Sequence, residues 1–365
     1  MFSKFLPYES RRPPIAASNL VATSQPLAVQ AGLQALRLGG NAVDAALSAA
    51  ITLTVVEPTG NGIGSDAFAL VWDGRKLHGI NGSGRSPRAW TPTYFSEYDS
   101  MPQFGWDSVT VPGAVDLWRC LSAQFGKLEF EQLFESAINY AEKGFLVGFR
   151  TAFDWNHGPA EWYQDFPEFR KTFLPPPQVG DRYFRPDLAK TLRTLSRDPR
   201  SIYEGTIAEK IIQSSELEKS ALNQEDLANH ETEWVAPINM AYRDVIVHEI
   251  PPNGQGLAVL VALGILNELG VSPCDSIESV HMQIEAMKIG LHTAARWGSD
   301  PSHMKISVKA LLEPAGLGNL AGSICATSSC IPPLSMPEGH DTVYLSAADD
   351  NGMMVSFIQS NYFGF

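Results

Sequence analysis

The chain has 365 residues, 44% of them apolar and 18% charged, enough for a substantial core in a globular protein. Its 40 acidic side chains outnumber the 27 basic ones, for a formal net charge of −13. No Lys/Arg run interrupts that excess, which excludes a phosphate-backbone binder, so no nucleic-acid partner is expected.

The opening MFSKFLPYESRRPP carries no apolar stretch of secretory length, and a cytoplasmic protein is expected. After this extended arm, SQPLAVQAGLQALRLGG (24–40) predicts a helix with Ser24 as its cap and Gly39-Gly40 as its stop. Asn41 then caps a second helix, with Asp44 favourably placed near the positive end of the helix dipole. That stretch, AVDAALSAAITLTVV (42–56), is apolar nearly all round, which predicts a buried helix. It falls short of the roughly 20 residues that span a bilayer, and no membrane association is expected. Glu57-Pro58 ends it.

GNGIGSD (60–66) is a glycine-rich turn feeding the short apolar strand AFALVW. The order helix, glycines, strand is the reverse of a dinucleotide fingerprint, which runs strand, glycines, helix. A hairpin turning at Asp73-Gly74 follows, then a second glycine-rich turn that holds Arg85. Segments 110–126 and 128–144 predict amphipathic helices, the first with Pro112 near its start. Residues 150–186, which include Pro175-Pro176-Pro177, read as loop-rich. Helices are predicted near 186–197, 206–217, 257–269 and 279–298, with a strand near 242–250. The stretch CATSSCIPPLSMPEGHD (325–341) lacks periodicity and holds three prolines, as an exposed linker does. Cys120, Cys274, Cys325 and Cys330 are too few and scattered for a disulfide framework. No paired CxxC or nearby HxxxH makes a metal site of them, and neither metal nor cofactor is expected.

The tail changes character. TVYLSAAD and MMVSFIQS are rich in β-formers and flank a turn ending in Asn351-Gly352, a strong hairpin signal. Helices dominate before residue 340 and a strand pair follows, an α+β layout whose sheet is left incomplete. Thr342 opens the first of these strands. A threonine hydroxyl is a poor nucleophile unless a base accepts its proton, and a chain-terminal α-amine, with a pKa of roughly 8, can serve. That chemistry requires a cut between Asp341 and Thr342, and the linker would let the two new ends separate.

The stretch NLVATSQPLAVQAGLQALRLGGNAVDAALSAAITLTVVEPTGNGIGSDAFAL (19–70) closely resembles the N-terminal region of the γ-glutamyltransferase (glutathione hydrolase) family. The likeness continues through TVPGAVDLW (110–118), FRPDLAKTLRTLSRD (184–198), IYEGTIAEKI (202–211), PPNGQG (251–256) and DTVYLSAADDNGMMVSFIQSNYFG (341–364). The resemblance implies an N-terminal-nucleophile hydrolase, an αββα sandwich made as a proenzyme that cuts itself between Asp341 and Thr342. Residues 1–341 would be the large-subunit-like region and 342–365 the first hairpin of the small one. Thr342 would attack the γ-glutamyl amide of glutathione or a conjugate and pass the acyl group to water or an amine. Ser360 falls where the family carries a hydroxyl beside the nucleophile. The family asparagine that meets the glutamyl end aligns with Tyr362, with Asn361 one residue earlier.

In the family an arginine four residues before a proline clamps the α-carboxylate. Counted back from Pro87 that position is Ser83, and Arg85 is displaced by two. Its guanidinium could form the same paired hydrogen bonds from a reshaped loop, or it is an exposed turn residue. These departures resemble the cephalosporin-acylase-like branch of the family, so a related amidase and an inactive remnant stand as alternatives. The family's small subunit is longer than the 24 residues from Thr342 to Phe365 and supplies the oxyanion hole. Losing one such donor costs roughly 3 kcal/mol. This polypeptide alone is therefore expected to transfer little, to associate with a separate small-subunit segment, and to expose its hairpin as an unpaired, apolar edge.

Overall fold

The computed structural model describes residues 15–157, 166–271, 276–329 and 342–362. Asp341, most of the predicted linker, Cys274, Cys330 and the Phe363-Gly364-Phe365 tip lie outside the described residues.

Strand β1 (Leu20–Thr23) runs into helix α1 (Pro26–Arg37), whose first turn is capped by Gln25: its Oε1 accepts the Leu27 N–H at 2.6 Å. The expected cap, Ser24, instead donates to the Glu57 carboxylate. Pro26, with its fixed φ, occupies the first helical position, which leaves Ser24 one residue too early to reach the helix. Helix α2 (Ala42–Val56) carries the expected box. Asn41 Oδ1 accepts the Val43 and Asp44 N–H groups, and Asp44 Oδ2 accepts the Asn41 N–H at 2.9 Å. All 15 of its residues are buried, as the unbroken apolar run predicts.

Strands β2 (Asp66–Trp72) and β3 (Leu77–Gly82) form the expected hairpin, and α3 (Ala114–Phe125) begins after Gly113, just beyond Pro112. The predicted helix over 128–144 divides into a 3-10 turn at Phe130–Phe134 and α4 (Glu135–Lys143). Strand β4 (Phe145–Leu146), helices α5 (Phe149–His157) and α6 (Pro167–Phe173) and strand β5 (Arg182–Tyr183) correct the loop-rich reading of 150–186. Trp155 explains them. Fully buried, it donates its indole N–H to the Phe173 carbonyl at 3.0 Å, so tertiary anchoring orders turns whose local periodicity is weak.

Helices α7 (Pro186–Arg197), α8 (Thr206–Leu217) and α9 (Gln224–Ala228) precede β6 (Glu233–Val235), β7 (Ile238–Tyr242) and β8 (Val245–Glu249). Helices α10 (Gly256–Leu269), α11 (Ile277–Trp297), α12 (Val308–Leu311) and α13 (Pro314–Gly322) follow, then β9 (Val343–Ala348) and β10 (Met354–Ser360). The result is α+β. Helices α10, α11 and α13 share a second apolar cluster, packed against Met240 and Tyr242 of β7.

The main sheet has the antiparallel order β1-β9-β10-β2-β3-β6. The C-terminal hairpin is therefore interior, and the expected unpaired edge does not exist. Its two flanks are satisfied by β1 and β2, partners some 300 residues upstream (Leu20 opposite Ala348, Asp66 opposite Ser360) that no local pattern reveals. On one face Val343, Leu345, Ala347, Val355 and Phe357 are buried in the core that includes α2. On the other, Tyr344, Met354 and Ile358 are exposed.

Asp349, buried in the β9–β10 turn, joins this hairpin to α2. Its Oδ2 accepts the Ala42 N–H at 2.9 Å, while Oδ1 accepts the Asn351 and Met353 N–H groups. Asp349→Ala leaves the buried Ala42 N–H and the two turn N–H groups without a charged acceptor and is expected to lower stability by about 2 kcal/mol. Asp349→Asn is expected to lower it by less, both read from equilibrium denaturation.

Candidate active site

Strand register gathers one row of polar residues at one end of the sheet. Val343 faces Gln359, Ser360 faces Asp66, and Ala67 faces Gly82. Thr342, Ser360, Asp66 and Ser83 stand beside one another as a result. Paired residues on antiparallel strands point to the same face, with Cβ atoms roughly 5 Å apart. Thr342 Oγ1 donates to Ser360 Oγ at 3.0 Å, and Ser360 Oγ also accepts the Tyr362 N–H at 2.8 Å. Tyr362 has φ +74°, a left-handed turn that folds its N–H back onto the serine.

Asn361 turns the other way. Its Oδ1 accepts the Ser65 hydroxyl at 2.6 Å, and Ser65 Oγ accepts the Gly62 N–H at 2.9 Å. The glycine turn thus grips the end of β10. Gln359 holds the core side of the same end: Trp118 Nε1 donates to it at 2.9 Å, and it donates to Asn61 at 2.8 Å, all buried.

Asp66 connects this row to Arg85. Its Oδ1 accepts the Gly84 N–H at 3.0 Å. Burial pushes its carboxyl up to about 6, against hydrogen bonds from the Gly84 and Gly113 N–H groups that favour the charge. The loop after β3 and the entry to α3 pass backbone against backbone. A Cβ on Gly84 would lie 1.4 Å from the Val111 carbonyl oxygen, and one on Gly113 would lie 1.9 Å from that of Gly82. Only glycine fits either position. The Arg85 carbonyl accepts the Val111 N–H at 3.0 Å.

The Arg85 guanidinium pairs with Glu233 of β6, both side chains more than half exposed. Ser83, where the resemblance leads one to expect an arginine, is bonded to Asn81 and Asn253. The α3 entry is fixed by Tyr203, whose hydroxyl donates to the Pro112 carbonyl at 2.8 Å. Asp116 accepts the Thr232 N–H at 2.9 Å, which ties α3 to the start of β6. His230 stacks on Tyr203, and burial pushes its imidazole down to about 4, so it is neutral near pH 7.

Of the residues singled out in the sequence, Thr342 and Ser360 meet directly, and Tyr362 joins them through its backbone. Asn361 is engaged with Ser65, Arg85 is reached through Asp66 and Gly84, and Asp341 lies outside the described residues. Asp66, Ser65 and Gln359 were not anticipated. The available signal was an acid at the first position of an alternating strand, directly after a glycine turn. Among the described residues, no group of three or more His, Cys, Asp or Glu could hold a metal ion, and no helix is long and apolar enough to cross a membrane.

The sequence pattern described as gamma-glutamyltranspeptidase matches residues 28–365. The glutathione hydrolase-like YwrD proenzyme of Bacillus subtilis (strain 168) is 33% identical over 362 residues, covering 96% of this chain and 68% of that protein. The oxamate amidohydrolase proenzyme of Klebsiella pneumoniae is 31% identical over 367 residues, with coverage of 96% and 68%. The crystal structure of cephalosporin acylase from Bacillus halodurans matches with a TM-score of 0.90 at 42% identity, over 100% of this chain and 70% of that one. The chain spans about two thirds of the length of each.

The raised Asp66 carboxyl sets a pH dependence of stability. The folded state binds its proton more tightly than the unfolded chain, so this group's contribution to stability grows as pH falls through about 6 and is diminished above it. Asp66→Asn, a neutral isostere, is expected to melt higher than the parent at pH 7.5. The gap should close by about pH 4.5, as the parent takes up its proton. Thermal unfolding across that range checks it.

Proposed function

Because the chain belongs to the γ-glutamyltranspeptidase family, we propose that it is a self-processing amide hydrolase that cleaves the γ-glutamyl amide of glutathione or its conjugates at Thr342. The observation that carries this reading is the hydroxyl pair: Thr342 heads an interior strand, and its Oγ1 donates to Ser360 Oγ at 3.0 Å. In the proenzyme the Thr342 oxygen attacks the Asp341 carbonyl carbon, the peptide C–N bond breaks, and the resulting ester is hydrolysed. Thr342 is left with a free α-amine. That amine accepts the hydroxyl proton as Oγ1 attacks the substrate amide, and returns it to the leaving amine. The threonyl ester then passes its acyl group to water or to an acceptor amine.

In the uncut chain Ser360 aligns the Thr342 oxygen by accepting its hydrogen bond, and the Tyr362 N–H holds Ser360 in turn. Arg85 takes the substrate carboxylate through its planar fork. Its pairing with Glu233 does not bar this, because an exposed ion pair is worth only about 0–1 kcal/mol and exchanges readily. The exposed sheet face with Tyr344, Met354 and Ile358 suits a second sheet laid upon it, as in an αββα sandwich, with a small-subunit segment as the source of that layer.

A second reading, an acylase acting on an amide whose acyl group carries a carboxylate but no α-amine, is favoured by the likeness to the cephalosporin acylase structure. γ-Glutamyl-p-nitroanilide and glutaryl-p-nitroanilide differ only by that amine. Faster turnover of the γ-glutamyl compound by the intact gene product is expected, and faster turnover of the glutaryl one overturns the first reading.

Thr342→Ala is expected to remain a single uncut chain on a denaturing gel and to hydrolyse neither anilide, whereas Thr342→Ser retains both steps at reduced rate. Ser360→Ala removes one hydrogen bond from the nucleophile and should lower kcat roughly tenfold. End sequencing that never finds Thr342 at an N-terminus would sink the scheme.

A further inference from the structure

We propose that Asp66 is a positioning residue for substrate selection: its carboxylate fastens the loop after β3 and thereby sets where the Arg85 guanidinium stands relative to Thr342. This rests on the reading above that Arg85 receives the substrate carboxylate.

Three observations place Asp66 at that loop. It opens β2 directly opposite Ser360, whose Oγ accepts from Thr342, so it is one strand from the nucleophile's own partner. Its Oδ1 takes the Gly84 N–H at 3.0 Å, and Gly84 immediately precedes Arg85. The preceding carbonyl, that of Ser65, takes the Gly113 and Ala114 N–H groups at 3.2 and 2.9 Å, which brings the start of α3 to the same point.

The two loops held there have no slack. Their glycines touch carbonyl oxygens of the opposite strand of backbone, and the Val111 N–H closes the contact on the Arg85 carbonyl. A guanidinium on a free loop would sample many positions; here the backbone on either side of Arg85 is tied. Helix and sheet formation alone do not require a carboxylate at residue 66. A neutral residue would spare the fold a half-buried charge, and the charge is what a fixed acceptor for backbone N–H groups supplies. Placing that acceptor on a strand, not in the loop itself, transmits the rigidity of the sheet to the arginine.

The test compares glutaryl-, γ-glutamyl- and butyryl-p-nitroanilide with the intact gene product; butyryl lacks the carboxylate. In Asp66→Ala, kcat/KM for the two carboxylate substrates is expected to fall on the order of tenfold, mainly through KM, with butyryl turnover changed less than about twofold. Asp66→Asn, which keeps one acceptor oxygen, is expected to lie between Ala and the parent. In an Arg85→Ala background, Asp66→Ala should cause no further loss of selectivity. Equal loss on all three substrates in both Asp66 variants, or full retention of the carboxylate preference, overturns the proposal. Arg85→Ala separates the two levels. If it keeps the preference, the assignment of Arg85 fails and takes the proposal with it; if it loses the preference while the Asp66 variants keep it, only the proposal fails.

Discussion

The pairing of β10 with β2 is the constraint on which the rest of the molecule depends. It joins Met354–Ser360 to Asp66–Trp72 across nearly the whole chain, and its register admits one arrangement. A slip of β10 by one residue would turn Val355, Phe357 and Gln359 out of the core, and a slip of β2 would do the same to Ala67, Ala69 and Val71. Either slip would part Ser360 from Asp66. Core packing and site geometry are thus one requirement, and the apolar alternation that buries the hairpin also sets Thr342 beside Ser360.

Polar anchors at both ends reinforce that register. At the turn, Asp349 accepts from the first residue of α2, so the buried helix and the hairpin are oriented against each other by a charge at the positive end of a helix. At the other end, Gln359 is hydrogen-bonded in the core to Trp118 and Asn61, reaching α3 and the glycine turn together. Buried polar groups of this kind stabilise only when every partner is present, and they penalise every other alignment. The Thr342–Ser360 pair sits directly above Gln359 in the ladder, so it inherits that precision.

Elements governed by neighbouring residues were legible in the sequence. Asn41 and Asp44 announce the start of α2, and Asn351-Gly352 announces the β9–β10 turn, where Gly352 has φ +84°. What escaped depends on contacts between distant residues. Ser24 looks like a cap until Pro26 fixes the helix start, and α5 and α6 exist because Trp155 is buried. The hairpin reads as an exposed edge until β1 and β2 flank it. In the site, Thr342 and Ser360 were visible as chemistry attached to a family pattern. Asp66 was not, because an acid after glycines reads as a turn residue until its partners at Gly84 and Gly113 are known.

The displacement of the arginine then has a physical account. Ser83, where the resemblance would put an arginine, has its hydroxyl drawn into hydrogen bonds with Asn81 and Asn253. A guanidinium there would break that small network and leave the asparagines competing for partners. Two residues further on, beyond the glycine that slides against Val111, a long side chain is free to extend, and Arg85 does so toward Glu233. Moving a cation along a loop normally loosens its aim. Here the loop is closed on both sides, by Asp66 through the Gly84 N–H and by Val111 through the Arg85 carbonyl, so the backbone that carries the guanidinium is held in one place. The half-buried carboxylate at Asp66 supplies one of those two closures.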